Sequence, residues 1–221
     1  MKDCNFYLHG IVYTMVRVSM VVTVSMQPFY LTIVTGFEQT QERPTPIQLA
    51  LVPLLSYCSS LIFSLYFQQK MTQCLRNRFL PLLISIVVIT ASSAPLYFLS
   101  NNQYRNLVYP LSSIQGIGMA IMMNTATSLI SDVVGNDSKN SAFVYGSYSL
   151  VEKLVNGGLM FWMISSYTSS DTEQEIRENT VALKIIMSTA PIICAVTAYV
   201  CTFLGNKFFS NKMSKITGIK K

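Results

Sequence analysis

The chain alternates between long, predominantly apolar stretches and short polar segments. The apolar stretches are six in number and cover residues about 6–34, 46–69, 79–100, 107–130, 141–165 and 181–204. Each is long enough for one helical crossing of a bilayer, which needs about 20 residues. The pattern therefore predicts an all-α membrane protein without β-sheet. It predicts a bundle of six transmembrane helices over residues 1–206 and a basic cytoplasmic tail over residues 207–221.

Composition supports the same class of protein. The chain is 51% hydrophobic and only 12% charged, whereas soluble domains carry about 25% charged residues. The net charge of +6 does not indicate a nucleic-acid partner, because the basic residues collect at the ends of apolar stretches. The cysteines are five, an odd number, and lack the spacing of metal ligands. We therefore expect no disulfide framework, no metal site and no cofactor.

The distribution of lysine and arginine predicts the orientation in the membrane. With both termini in the cytoplasm, ten basic residues lie on the cytoplasmic side: Lys2, Lys70, Arg76, Arg78, Lys139, Lys207, Lys212, Lys215, Lys220 and Lys221. The opposite side holds Arg43, Arg105 and Arg177, with Lys184 at the border. Cytoplasmic loops of membrane proteins carry the excess of basic residues. The sequence thus predicts an even number of spans with both ends cytoplasmic.

Three charges fall inside the apolar stretches. Glu152 and Lys153 follow Ser141 by a helical distance of roughly 16–18 Å, near the middle of a ~30 Å hydrocarbon layer. Arg17 lies about eleven residues into the first stretch, at a similar depth. Because charges at this depth are costly unless they are paired, we expect Arg17 to pair with Glu152, while Lys153 points about 100° away. The pair is interpreted either as a transport charge network or as a structural salt bridge that fixes helix register.

Asp132 is a further candidate charge, at the cytoplasmic end of the fourth stretch. A carboxylate opposes the helix dipole there, because the C-terminal end of a helix already carries partial negative charge. Asp132 therefore needs a basic partner, for which Lys139, Arg76 and Arg78 are available. The alternatives are a gating interaction with one of these residues and a solvated loop acid.

Polar residues inside the stretches are candidates for the lining of a cavity. They are Gln27, Gln115, Asn124, Tyr145 and Asn156. The small residues Gly116, Gly118 and Ala120 follow Gln115 closely, and small residues in lipid usually allow two helices to approach each other. A chain with one histidine and no His-Glu-x-x-His motif has little acid-base machinery, so no enzymatic activity is predicted.

The fifth stretch and the loop before it carry a family resemblance. The residues that carry it are Asp132, Gly135, residues 141–146, Ser149, Lys153 after an acid, Asn156 and Gly157. They resemble the helix 10 to helix 11 signature of one family within the major facilitator superfamily, the domain-containing protein twelve family. That family belongs to the glycoside-pentoside-hexuronide:cation symporter type. A weaker match to helix 7 of that family involves Phe6, Tyr7, Tyr13, Arg17 and residues 30–32.

The resemblance implies that the chain is the C-terminal six-helix half of a twelve-helix transporter. The implied activity is secondary active transport by alternating access, with a small thiol or amino acid such as cysteine as the solute and H+ or Na+ as the coupling ion. The implied partners are membrane lipid and an N-terminal six-helix half, with no nucleic acid. The implied location is an endomembrane, lysosome or vacuole, or else the plasma membrane.

Two departures from the family pattern bear on this expectation. Val21 and Val24 stand where the family has polar Asn-type and Gln-type residues, and Glu152 replaces an Asp. If those polar groups contact the solute, the contact is altered in this chain. The alternative interpretation of the whole chain is a non-transporting membrane subunit that packs against a partner protein.

Overall fold

Each of the six apolar stretches contains one helix in the computed structural model of the chain. The structure describes residues 4–35, 47–66, 79–99, 105–134, 138–167 and 173–217, and every regular element in these ranges is helical. The helices are α1 (Cys4–Phe29), α2 (Gln48–Tyr66), α3 (Phe79–Phe98), α4 (Val108–Val134), α5 (Ser138–Tyr167) and α6 (Glu173–Thr217). The expected all-α architecture is confirmed for this part of the chain.

Two helices differ in extent from the stretches that predict them. α1 continues into a π-helical turn, Tyr30–Val34, after Pro28 has interrupted its regular hydrogen bonding. α6 begins at Glu173 and runs to Thr217. It therefore includes the acidic segment before the predicted sixth stretch and part of the predicted basic tail. Acidic residues favour the N-terminal end of a helix and lysines favour its C-terminal end, which explains the extension.

α1 is the central helix of the bundle. It packs against α6, α4 and α5, while α4 also packs against α2 and α3, and α3 closes the arrangement by packing against α6. An apolar core that includes Val12 and Val16 of α1 and Ala195 and Ala198 of α6 lies between α1, α3, α4 and α6. The small alanines let α6 approach α1 closely.

Four of the helices are long and apolar enough to cross a membrane. The candidate spans are Tyr7–Val34, Gln48–Tyr66, Leu80–Phe98 and Glu178–Gly205, which belong to α1, α2, α3 and α6. α4 and α5 are also long, with 27 and 30 residues, but polar side chains lower their hydropathy. The chain is thus an all-α protein of the membrane type.

Candidate functional site

The polar centre of the structure is the seam between α1 and α5. One stripe of α5 is buried there and consists of Val144, Tyr148, Glu152, Asn156 and Met163. The first four recur every four residues, so they lie on one face of the helix. Two of the five are polar, and they lie near the middle of the helix. The seam therefore buries polar side chains near the middle of the helix.

Arg17 and Glu152 meet across this seam. Arg17 Nε lies 3.4 Å from Glu152 Oε1, and the carboxylate residue is only 5% exposed. Arg17 Nε finds no acceptor with hydrogen-bond geometry among the described residues, so the contact is an ion pair and not an aligned hydrogen bond. The guanidinium carbon also lies 5.8 Å from the ring centroid of Tyr13, a cation–π distance. The structure brings together the two charges that the sequence argument pairs.

Asn156 extends the charge pair by one helical turn. Its Nδ2 donates to Glu152 Oε1 over 3.4 Å, while its Oδ1 is buried without a partner in the described part of the chain. Asn156 is only 8% exposed, and an unpaired buried acceptor costs about 1–3 kcal/mol. The site therefore holds one acceptor that a donor from outside the chain can satisfy.

A close approach between α1 and α5 positions the seam. A Cβ atom at Gly10 would lie 2.7 Å from Tyr148 Cε1, so only glycine admits the tyrosine ring at this point. The ring of Tyr148 also lies 6.4 Å from that of Tyr13, which itself faces Arg17. No pattern in the sequence predicts this contact. The available signal was the presence of a glycine inside the first apolar stretch, where no tight turn requires one.

Lys153 lies on the other side of α5. Its side chain is exposed, and no acid pairs with it in the described ranges. Gly146, Gly157 and Gly158 share the exposed surface of α5, and a Cβ at any of them would meet nothing within 4 Å. Lys153, Gly146 and Gly157 lie within one narrow arc of the helix. We call these three residues the open face of α5.

The other candidate residues lie away from the charge pair. Gln27 Nε2 donates to Ser112 Oγ over 3.3 Å, and Gln115 Nε2 donates to Ser93 Oγ over 3.3 Å, so both glutamines join helices inside the core. Tyr145 is exposed on α5. Asp132 belongs to α4, but its side chain lies outside the described residues.

Asn124 lines a crevice between α1, α2 and α4. The crevice has a volume of about 430 Å³, and its wall includes Met20 of α1 and three serines of α2. Asn124 Nδ2 donates to Ser64 Oγ over 3.2 Å at one end. The lining residues carry no charge: Met20, Val24, Ser56, Tyr57, Ser60, Leu61, Ser64, Leu65, Gly116, Met119, Ala120, Met123 and Asn124. The crevice is therefore suited to an uncharged part of a ligand.

Comparison with known proteins gives a partial similarity. No protein-family model matches the chain, and no solved structure matches it. The chain is 26% identical over 157 residues to "Major facilitator superfamily domain-containing protein 12" of Homo sapiens, and 24% identical over 157 residues to the protein of the same name of Equus caballus. The match covers 71% of this chain and 30% of each relative. The chain is thus similar, along part of its length, to proteins that are named as members of the major facilitator superfamily.

Proposed function

We propose that this chain is a six-span half of a secondary active transporter of the glycoside-pentoside-hexuronide:cation symporter type. It moves a small polar solute, such as cysteine or another amino acid, across an endomembrane by alternating access. In this proposal α4 and α5 also cross the membrane, and both termini are cytoplasmic. The basic residues of the loops support that orientation.

The observation that carries the proposal is the buried ion pair between Arg17 and Glu152. A charge at the bilayer centre costs on the order of 2.5 kcal/mol or more, and such residues usually mark a solute or ion pathway. A salt bridge that only fixed the register of α1 and α5 would account for two charges. Lys153, at the same depth and without an acidic partner in the described residues, is left over. The third charge favours a pathway.

The seam offers complementary groups to a zwitterion. Arg17 keeps 36% of its side chain exposed, so its remaining N–H groups are accessible to a carboxylate. The unpaired Oδ1 of Asn156 is an acceptor for an ammonium group. An amino acid carries both functions a few ångströms apart. The uncharged crevice beside Met20 is available for the rest of the solute.

The same geometry suggests how transport is coupled to an ion. A proton or Na+ at Glu152 neutralises the carboxylate and releases Arg17 from its pair. The free guanidinium then binds the solute carboxylate with its full charge, since no acid competes for it. We therefore assign the coupling site to Glu152, and we keep Asp132 as a candidate for the cytoplasmic gate.

A partner completes the pathway in this proposal. The matched segment amounts to 30% of each relative, and the open face of α5 has no neighbour among the described helices. We propose an N-terminal six-helix half, in the same polypeptide or in a separate one, which faces α5 and supplies an acid near Lys153. Transporters of this superfamily bind solute near the midplane between two halves.

The second candidate function is a non-transporting membrane subunit. One observation favours it: the Arg17–Glu152 pair is closed within the chain, as a salt bridge that fixes helix register would be. In that case the open face of α5 docks a partner, and no solute passes.

An uptake assay in liposomes separates the two candidates. The protein is expressed from its full transcript and assayed with radiolabelled cysteine and a panel of other amino acids. We expect Arg17→Leu and Glu152→Gln each to reduce saturable uptake at least 100-fold, with near wild-type expression. The matched control is Glu178→Gln, the same chemical change at the exposed start of α6. Wild-type uptake in both seam variants would reassign the pair to structure, and no uptake in any form would favour the subunit.

A further inference from the structure

α1 does not finish as a regular helix. Pro28 has no N–H, so the carbonyl of Val24 loses its helical donor. The five residues Tyr30–Val34 then form a π turn, and the N–H of Thr35 donates to the carbonyl of Tyr30 over 3.3 Å. π turns are rare and occur frequently at functional sites.

Threonine hydroxyls hold this segment together. Thr32 Oγ1 donates to the carbonyl of Pro28 over 3.1 Å, and Thr35 Oγ1 donates to the carbonyl of Leu31 over 2.6 Å. In membranes, such hydroxyls satisfy backbone groups that an irregular helix leaves free. Because the bonds are local, the segment keeps its carbonyls satisfied when its direction changes relative to the rest of the bundle.

One long-range hydrogen bond fixes the segment to another helix. Tyr30 Oη donates to the carbonyl of Leu96 on α3 over 2.6 Å. Tyr30 is 1% exposed and Leu96 is 2% exposed, so water does not compete for the bond. The last four carbonyls of a helix lack donors of their own, and α3 ends at Phe98. Tyr30 of α1 therefore caps the end of α3.

The surroundings of this bond are apolar. Leu31, Val34, Leu99 and Val108 belong to the same buried cluster as Tyr30 and Leu96. In such surroundings a broken hydrogen bond leaves an unsatisfied carbonyl, so the bond is either made in full or replaced by water when the end opens. A change at the end of the bundle where α1 and α3 finish would therefore break the whole bond.

We propose that the segment from Pro28 to Thr35 is a hinge in α1 and that the Tyr30–Leu96 hydrogen bond is the latch that holds it closed. Opening swings the end of α1 away from α3 and admits solvent at the end of the bundle opposite the predicted cytoplasmic side. The assignment of this opening to solute access rests on the proposed function. The hinge itself does not depend on it.

Hydrogen exchange of the full-length protein in nanodiscs tests the latch without any solute. We expect Tyr30→Phe to accelerate amide exchange in residues 31–35 roughly tenfold, the effect of losing one buried hydrogen bond. The matched control is Tyr109→Phe, because Tyr109 packs against the same cluster and its hydroxyl makes no hydrogen bond within the described residues. Thr35→Val, which removes the local bond to Leu31, is expected to act in the same direction.

A distance measurement gives a second readout. Spin labels at Ile33→Cys and Tyr97→Cys, both exposed, report the separation of α1 and α3 in a background without the five native cysteines. The distance distribution is expected to broaden in Tyr30→Phe and not in Tyr109→Phe. Unchanged exchange and distances in both Tyr30→Phe and Thr35→Val would overturn the hinge. An intact hinge with no measurable uptake would overturn the proposed transport alone.

Discussion

α4 and α5 are both too polar to count among the four candidate spans, but they are polar in opposite ways. The polar side chains of α4 find partners inside the chain: Ser112 accepts from Gln27, Gln115 donates to Ser93, and Asn124 donates to Ser64. α4 packs against α1, α2 and α3. Its polarity joins helices to one another.

The polar side chains of α5 are only partly satisfied. Glu152 pairs with Arg17, but Asn156 Oδ1 is buried without a partner and Lys153 is exposed. α5 packs mainly against α1, and its glycines 146, 157 and 158 border open space. In the proposed six-span arrangement α5 lies in lipid, where unsatisfied polar groups and charges are costly.

The comparison shows that a low hydropathy value has two causes in a membrane bundle. On α4, interhelical hydrogen bonds stabilise the bundle and require only residues of this chain. On α5, the remaining polar groups are the ones that, in the proposed function, interact with a solute, an ion or a second protein. Matched substitutions on the two helices therefore test whether a polar side chain stabilises the bundle or serves the function.

The largest expected difference is between the isolated chain and a complete assembly. In the proposed function the open face of α5 lines a pathway that one bundle cannot enclose. We therefore expect the 221-residue chain alone to give no saturable uptake in liposomes. Uptake should return with the partner half present. Native mass spectrometry in detergent determines the assembly in the same preparations. A monomer that accumulates solute by itself would refute this expectation.

The second prediction contrasts one glycine from each helix. A Cβ at Gly116 of α4 would lie 2.3 Å from the backbone oxygen of Ser56, so Gly116→Leu forces α2 away from α4. Overpacking of this kind costs about 3 kcal/mol. Gly157→Leu on α5 meets open space and should leave the melting temperature in detergent close to that of the wild type. Equal melting temperatures for the two variants would contradict the packing of α2 on α4.

The third prediction contrasts two polar side chains of similar burial. Gln115→Leu removes the donor to Ser93 and should lower the free energy of unfolding by about 1 kcal/mol. Asn156→Leu removes an unpaired buried oxygen together with a long hydrogen bond, so its net effect on stability should be smaller. Uptake should show the reverse order, with the greater loss in Asn156→Leu. Thermal unfolding and uptake are measured on the same samples.

The position of each helix could be predicted from the sequence because apolar length is a strong signal in membrane proteins. The Arg17–Glu152 contact could also be predicted, since few carboxylates lie at the depth of Arg17 and an unpaired charge there is costly. The roles of Arg17, Glu152, Lys153 and Asp132 in transport stay predictions.

Other features depend on packing that no local pattern encodes. Which polar residue faces a cavity and which joins two helices depends on helix rotation. Gln27 and Gln115 hydrogen-bond within the core, and their part in a cavity lining stays a prediction. The contact between Gly10 and Tyr148 depends on two residues that are far apart in sequence. The start of α6 lies before the predicted sixth stretch, because the acidic residues there interrupt the apolar pattern. Acidic residues nevertheless suit the first turns of a helix.

The smallest expected effect concerns the glycines of the open face. Glycine inside a helix costs up to about 1 kcal/mol relative to alanine, and a Cβ at Gly146 or Gly157 meets nothing in the chain. Gly146→Ala and Gly157→Ala should therefore each stabilise the isolated chain by about 0.5–1 kcal/mol in thermal unfolding.

If a partner helix approaches this face closely, the same methyl groups obstruct it, because small residues are what allow close helix contacts in lipid. The sign should then reverse, with weaker association of the two halves in native mass spectrometry. Gly118→Ala, where the new Cβ would lie 2.7 Å from Ile89 Cγ1, serves as the control that destabilises in both states. Alanine variants that stabilise the chain and leave association unchanged would show that the partner does not contact Gly146 or Gly157.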